Sequence, residues 1–301
     1  MDYPLIVENL KKTYEGKGNV VQALKGISFK VKKGEIFGLL GPNGAGKTTT
    51  TNILTGILTA DSGTVLFFGE KESERTKNKV NVANGYGSLT GGLTVFQNLK
   101  VFAKIYNVKN PEQKIDSLLQ RFHAFDLKNR KVFTLSSGQK ARVNVCKSLI
   151  NDPELLFLDE ATIGLDPHIA SEIRREIKNL NTTIVFTSHM MQEVEELCDR
   201  IAFLSKGQIL KIDTPKGIKK LINEHTFVIE LTKKPKNAES IFKNINAKKI
   251  TEDRIAIELK SQKEIHKIIH TLIMKGFEIK DLHIKRTTLD EVFIKIAKGE
   301  L

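Results

Sequence analysis

The chain has 301 residues, 40% hydrophobic and 28% charged, enough for about two domains with an ample core. No apolar run approaches the ~18 residues of a membrane-crossing helix, and Met1-Asp2-Tyr3-Pro4 opens no signal peptide. The net charge of +13 comes as scattered pairs (Lys32-Lys33, Lys219-Lys220, Lys233-Lys234, Lys248-Lys249), which read as solvated surface, so no specific nucleic-acid partner is expected.

Residues 5–10 and 20–32 alternate apolar and polar side chains, the pattern of half-buried strands. Between them Tyr14 is either strand-end packing or an aromatic face on which a base can stack. Glu35 to Leu40 is a short apolar run that predicts a buried strand. Next comes Gly41-Pro42-Asn43-Gly44-Ala45-Gly46-Lys47-Thr48-Thr49, a G-x-x-x-x-G-K-T phosphate-binding loop. Thr49 to Leu58 then predicts a helix with Ile53, Leu54, Ile57 and Leu58 on one face. Glycines let backbone N–H groups turn inward around an anion, and the helix N-terminus adds its positive dipole end. Lys47 is suited to β- and γ-phosphates and the Thr48 hydroxyl to Mg²⁺. The expected ligand is a nucleoside triphosphate.

Asp61-Ser62-Gly63 reads as a turn, Thr64 to Phe68 as a strand, and residues 80–83 as another. The Gly-rich stretch 84–92 is no element interior. Thr94-Val95-Phe96-Gln97 has capping-box spacing and opens a helix to about Tyr106, and Asn110-Pro111 opens another with Ile115, Leu118, Leu119 and Phe122 on one face. Residues 94–150 therefore form a helical insertion, ending in Leu135-Ser136-Ser137-Gly138-Gln139 and a helix to about Ile150. Leu155 to Leu158 predicts a buried strand closed by Asp159-Glu160, the place of a Mg²⁺-binding acid and of a general base for the attacking water. Gly164-Leu165-Asp166-Pro167 turns into a helix, and strand 183–187 ends at Ser188-His189, where a histidine is placed for a γ-phosphate contact. Cys146 and Cys198 lack metal-type spacing and read as buried thiols.

After His225 the pattern restarts. Strands at 227–231, 247–251, 254–259 and 277–285, with helices at 237–246 and 262–275, give the order βαββαβ. The second helix carries Ile265, Ile268, Ile269, Leu272 and Ile273 on one face, and its polar face accounts for His266 and His270. A capping box, Thr288-Leu289-Asp290-Glu291, opens a last helix.

Over roughly residues 5–225 the set resembles the ATP-binding subunit of ABC transporters. The phosphate loop (Walker A) at Gly41–Thr49, the signature at Leu135–Gln139, the acidic strand at Leu155–Glu160, the D-loop at Gly164-Leu165-Asp166 and the switch His189 follow in the family's order. The tail, 226–301, is similar to that of exporter-type ATPases of the drug and antibiotic subclass. The resemblance implies an α/β phosphate-loop NTPase (RecA-like) core over 1–225 with its helical subdomain at about 94–150, and the βαββαβ order of 226–301 suggests a small ferredoxin-like module. The resemblance further implies ATP and Mg²⁺, a head-to-tail dimer, and a polytopic membrane permease as partner, with the protein peripheral on the cytoplasmic face of the membrane. Tyr14 would then stack on adenine. Lys47 and Thr48 would hold ATP and Mg²⁺ with Asp159, Glu160 would polarise water, and His189 would steady the transition state. Ser137 and Gly138, within Ser136–Gln139 of the partner copy, would reach the γ-phosphate, and Asp166 would link the two sites.

Three departures stand out. The signature reads Ser-Ser-Gly for the usual Ser-Gly-Gly, and Ala161 follows Glu160 in place of proline. The glutamine expected before Leu93-Thr94-Val95 as a Mg²⁺ ligand is absent; Asn84, with the same amide oxygen on a shorter arm, is the candidate substitute. The expected activity is that of the ATP-hydrolysing motor of an exporter. The competing reading is a soluble ABC-type ATPase acting on ribosomes or nucleic acid; the single cassette, without coiled-coil or zinc insertions, counts against it.

Overall fold

The computed structural model describes residues 2–16, 19–84, 89–160, 166–188, 190–221, 225–233, 238–244, 247–249, 253–259, 264–285 and 288–298. They form two compact units, Met1–Pro215 and Lys216–Leu301. The division falls ten residues before the one expected from the sequence, because the strand pattern that restarts after His225 is preceded by a short helix whose last residues cluster with the second unit.

The first unit begins with β1 (Leu5–Gly16), β2 (Asn19–Val31), β3 (Ile36–Leu40), α1 (Lys47–Leu54), β4 (Ser62–Phe67), α2 (Glu74–Lys77) and β5 (Val80–Asn84). The helical segment follows as α3 (Val95–Ile105), α4 (Pro111–Arg121) and α5 (Ser137–Ser148). The unit is completed by β6 (Leu155–Asp159), α6 (Pro167–Lys178), β7 (Thr183–Ser188), α7 (Met191–Leu197), β8 (Arg200–Ser205) and β9 (Gln208–Asp213), with α8 (Pro215–Lys219) at the division. Two sheets result: antiparallel β2-β1-β4, and β5-β6-β7-β3-β8-β9, parallel except for β9.

The parallel strands are apolar without alternation because both faces are covered. All five residues of β3 are buried, as are Leu155 to Leu158 and every residue of β7. The two sheets share one core, in which Phe29 of β2 stacks on Phe37 of β3 at 5.3 Å. Register then decides where the chemistry lies. Asn84 pairs with Asp159, Asp159 with Thr187, and Leu40 with Ser188, so the carboxyl ends of β5, β6, β7 and β3 meet along one edge. Ligands in open α/β sheets bind at that edge.

Two local expectations are corrected. The first helix starts at Lys47 and ends at Leu54, and the chain turns away at Gly56 (φ 74°), which leaves Ile57 67% exposed and off the apolar face. β1 runs on to Gly16, so Tyr14 lies inside a strand, paired with Val21, and not in a connection. Both capping boxes read from the sequence are formed: Thr94 with Gln97, and Thr288 with Glu291.

The second unit holds β10 (His225–Lys233), α9 (Ala238–Asn244), β11 (Ala247–Lys249), β12 (Arg254–Leu259), α10 (Glu264–Met274), β13 (Glu278–Lys285) and α11 (Leu289–Lys298). Its antiparallel sheet has the order β11-β12-β10-β13. Phe227, Ile229 and Leu231 of β10, Ile241 and Phe242 of α9, and Ile265 and Leu272 of α10 make its core. Ile273 is 56% exposed, contrary to its expected place on the inner face, because one residue past Leu272 is a ~100° rotation around the helix.

Candidate active site

β3 delivers the chain into the phosphate loop from the middle of the sheet. A Cβ on Gly41 would lie 2.2 Å from the Leu204 carbonyl oxygen, so the first glycine is required by its neighbour strand β8. Gly46 is required twice over: φ is 110°, and a Cβ would lie 2.8 Å from the Ala23 oxygen. Gly44 (φ 75°) meets nothing within 4 Å and serves the turn alone. The loop closes with the Ala45 N–H donating to the Pro42 oxygen (3.2 Å), and α1 begins directly behind it.

Lys47 is buried, and its Nζ donates to the carbonyls of Gly41 (2.7 Å) and Pro42 (3.1 Å), so its ammonium is held by the loop's own oxygens. Burial pushes its pKa down, while Glu160 and then Asp159 work the other way. Thr48 is exposed at the first turn of α1.

The loop is one wall of an open cleft of about 860 Å³, lined by Tyr14, Asn43 to Thr49, Glu160 and Lys206 together with the stretch of β2 from Val20 to Ala23 and Lys25. Tyr14 is 43% exposed, and its hydroxyl lies 3.4 Å from Thr49 Oγ1. An aromatic side chain, the backbone of a phosphate-type loop, a lysine and a carboxylate thus share one cleft, the kinds of group that a base, phosphates and a hydrolytic water call for.

Asp159 and Glu160 close β6. Burial raises the Asp159 pKa above the ordinary carboxylate range; the hydrogen bond from Thr187 Oγ1 opposes this, Glu160 adds to it, and Lys47 opposes it. Thr187 also takes the Glu160 N–H, on both its hydroxyl and its carbonyl oxygen at 3.2 Å. Glu160 has φ 51°, a left-handed backbone that costs a non-glycine residue about 1–2 kcal/mol and aims it differently from a continuing strand. Thr187 is thus a site residue that sequence reasoning missed; its place at the end of an apolar strand was the available signal. Val20, Val21, Gln22, Lys25 and Lys206 were missed as well, because only strand pairing brings them to the cleft.

The signature residues are elsewhere. Ser136 caps α5, its hydroxyl accepting the Gln139 N–H (3.3 Å) while its own N–H donates to Gln139 Oε1 (3.0 Å). Ser137, at the first helical position, is exposed. Gly138 is buried, and a Cβ there would lie 3.0 Å from Ile169 Cδ1. The departure from Ser-Gly-Gly therefore falls on the position with room for a side chain. None of Ser136, Ser137, Gly138 and Gln139 lines the cleft among the described residues. Asp166 is exposed and caps α6 by accepting the His168 N–H (2.9 Å). His189, Ala161, Gly164 and Leu165 lie outside the described residues, as does the side chain of Asn84, whose backbone pairs with Asp159.

A profile of the ABC transporter family matches residues 24–163, and that of the ATP-binding protein DrrA1-3-like C-terminal domain matches residues 214–297. The linearmycin resistance ATP-binding protein LnrL of Bacillus subtilis is 39% identical over 236 residues, 76% of this chain and 74% of that one. The chain belongs to the ABC transporter family of ATP-binding proteins. The Nod factor export ATP-binding protein I of Burkholderia orbicola is 36% identical over 223 residues, 71% of this chain and 72% of that protein. The dimeric ATP-binding cassette MJ0796, in a post-hydrolysis state with ADP and Pi, matches the fold with a TM-score of 0.65 at 23% identity, over 70% of this chain and 98% of that one. Family and fold make this an exporter-type ABC ATPase subunit, an ATP-driven motor for a separate membrane partner. A role on ribosomes or nucleic acid is not favoured. No described helix is long and apolar enough to cross a bilayer.

Proposed function

We propose that two copies, or one copy and a related subunit, close head to tail so that each ATP lies between the phosphate loop of one and the signature of the other. The observation that carries this is the split just described: the cleft holds Tyr14, Lys47, Thr48 and Glu160, while Ser137 stands exposed on the N-terminus of α5, outside it. Tyr14 stacks on adenine, and the loop amides and Lys47 take the phosphates, the ammonium exchanging the Gly41 and Pro42 carbonyls for phosphate oxygens. Glu160 accepts the proton of the attacking water, and His189 contacts the γ-phosphate. The partner's Ser137 and Gly138 bring the dipole end and amides of α5 onto that phosphate only on closure, which ties hydrolysis to movement.

The Thr48 hydroxyl, the Asp159 carboxylate and the Asn84 amide are all hard oxygen donors, the set Mg²⁺ prefers, and the register of β5 on β6 puts Asn84 beside Asp159. When bound, Mg²⁺ neutralises charge on the β- and γ-phosphates. The movement is passed to a polytopic permease through the Gly-rich stretch 85–92, of which 85–88 lie outside the described residues, and α3, where Val101 and Ile105 are 47% and 63% exposed. The charge of +13 favours residence against an anionic membrane face, peripheral on the cytoplasmic side. The transported molecule is selected in the permease; export is the direction supported by the C-terminal match and by the relative that serves Nod factor export.

Mixing two inactive variants tests the shared site. Lys47→Ala and Gly138→Val each disable both sites of a symmetric dimer, but a mixed dimer has one site with an intact loop facing an intact signature. A 1:1 mixture should recover up to about a quarter of the wild-type rate. No recovery, with mixed dimers shown to form, would rule out the shared site.

A further inference from the structure

α6 lies between the signature helix and the helix that follows residue 189, and charged pairs join it to both. On one side Arg142 of α5 binds Glu172 at 2.7 Å. On the other, Arg174 reaches Glu193 (3.2 Å) and Glu196 (2.8 Å) of α7, and Lys178 Nζ donates to the Glu196 carbonyl (3.0 Å). The Arg174–Glu193 pair is the buried one, its side chains 15% and 5% exposed. A buried ion pair contributes little net stability over well-packed apolar residues, so its presence calls for another reason. Glu193 supplies one. Its second oxygen accepts the hydroxyl proton of Ser188 (2.8 Å), and the same hydroxyl oxygen accepts the Met190 N–H (2.9 Å). One buried hydroxyl therefore pins both neighbours of residue 189, and Glu193 orients that hydroxyl.

We propose that Glu193, fixed by Arg174, is a positioning residue for hydrolysis, holding through the Ser188 hydroxyl the two described neighbours of residue 189, Ser188 and Met190. The inference rests on reading His189 as the γ-phosphate contact. The planar guanidinium suits the task because one fork engages Glu193 and Glu196 together, which an ammonium does less well.

The test is steady-state ATP hydrolysis by the full chain, with His189→Ala as reference, and with binding of a fluorescent ATP analogue and the thermal midpoint measured on each variant. Ser188→Ala and Glu193→Gln should each lower kcat tenfold or more, towards the ~10²-fold that about 1 Å of misplacement costs, with KM for ATP unchanged. Ser188→Thr, which keeps the hydroxyl, should recover most of the rate, and the double variant should be no slower than the slower single one. A folded Glu193→Gln at the wild-type kcat, while His189→Ala is slow, would overturn the inference. So would a loss confined to KM. Wild-type hydrolysis by His189→Ala would instead overturn the reading of residue 189 on which it stands.

Discussion

The first glycine of the phosphate loop offers a sharp test, because its requirement is set by a neighbouring strand. Gly41 has no left-handed backbone; what forbids a side chain is the Leu204 carbonyl oxygen, 2.2 Å from where a Cβ would lie, with Ala45 Cβ at 3.0 Å. Ordinary Cβ contacts begin near 3.4 Å, so Gly41→Ala requires about 1 Å of movement by backbone atoms that no rotamer change can supply. Overpacking of this kind costs about 1–3 kcal/mol, which in a unit of this size lowers Tm by about 2–12 °C. The shift also moves the amides that face the phosphates, for which the expected loss of ATP turnover is on the order of 10²-fold. Thermal unfolding and ATP hydrolysis of Gly41→Ala are to be compared with Gly92→Ala, where a Cβ meets nothing within 4 Å. Should Gly41→Ala match Gly92→Ala in both Tm and turnover, the steric account of the loop is wrong.

Thr187→Val removes the hydroxyl that serves Asp159 and the Glu160 amide; urea unfolding should show a loss of about 1.5–3 kcal/mol with a fall in kcat, and Thr187→Ser should restore both. Lys147 is buried on α5, and burial lowers its pKa from 10.5 to about 8. The unfolded chain therefore holds a proton between these values that the folded chain has lost, so stability should rise with pH across that window, and urea midpoints of Lys147→Met should lose that rise. Burial pushes both Cys146 and Cys198 thiols far up, so neither should react with a thiol reagent in the native protein at neutral pH, and both should react in urea.

Much of the fold was legible because its signals are local. Apolar runs without alternation marked β3, β6 and β7 as buried parallel strands, and capping-box spacing marked α3 and α11. The order β11-β12-β10-β13 is the one a ferredoxin-like βαββαβ module takes, but the register within it was not in the spacing, since pairing depends on side chains meeting across the sheet. The active site divides along the same line. The loop and the Asp159-Glu160 pair are contiguous and could be read directly. Thr187 reaches them only through the register of β7 on β6, and Lys25 and Lys206 only because the Gly207 carbonyl accepts the Lys25 N–H (2.8 Å). The replacement of glycine by Ser137 is intelligible only with Gly138 against Ile169, which shows which of the two glycine positions is the more crowded.

The central claim is that this ATPase drives a membrane partner in another chain. Affinity purification of the tagged protein from its native cells in mild detergent tests it most directly. The account predicts a polytopic membrane protein in near-equal amount, retained when salt is raised. Ribosomes or nucleic acid in its place, persisting at high salt, would contradict it.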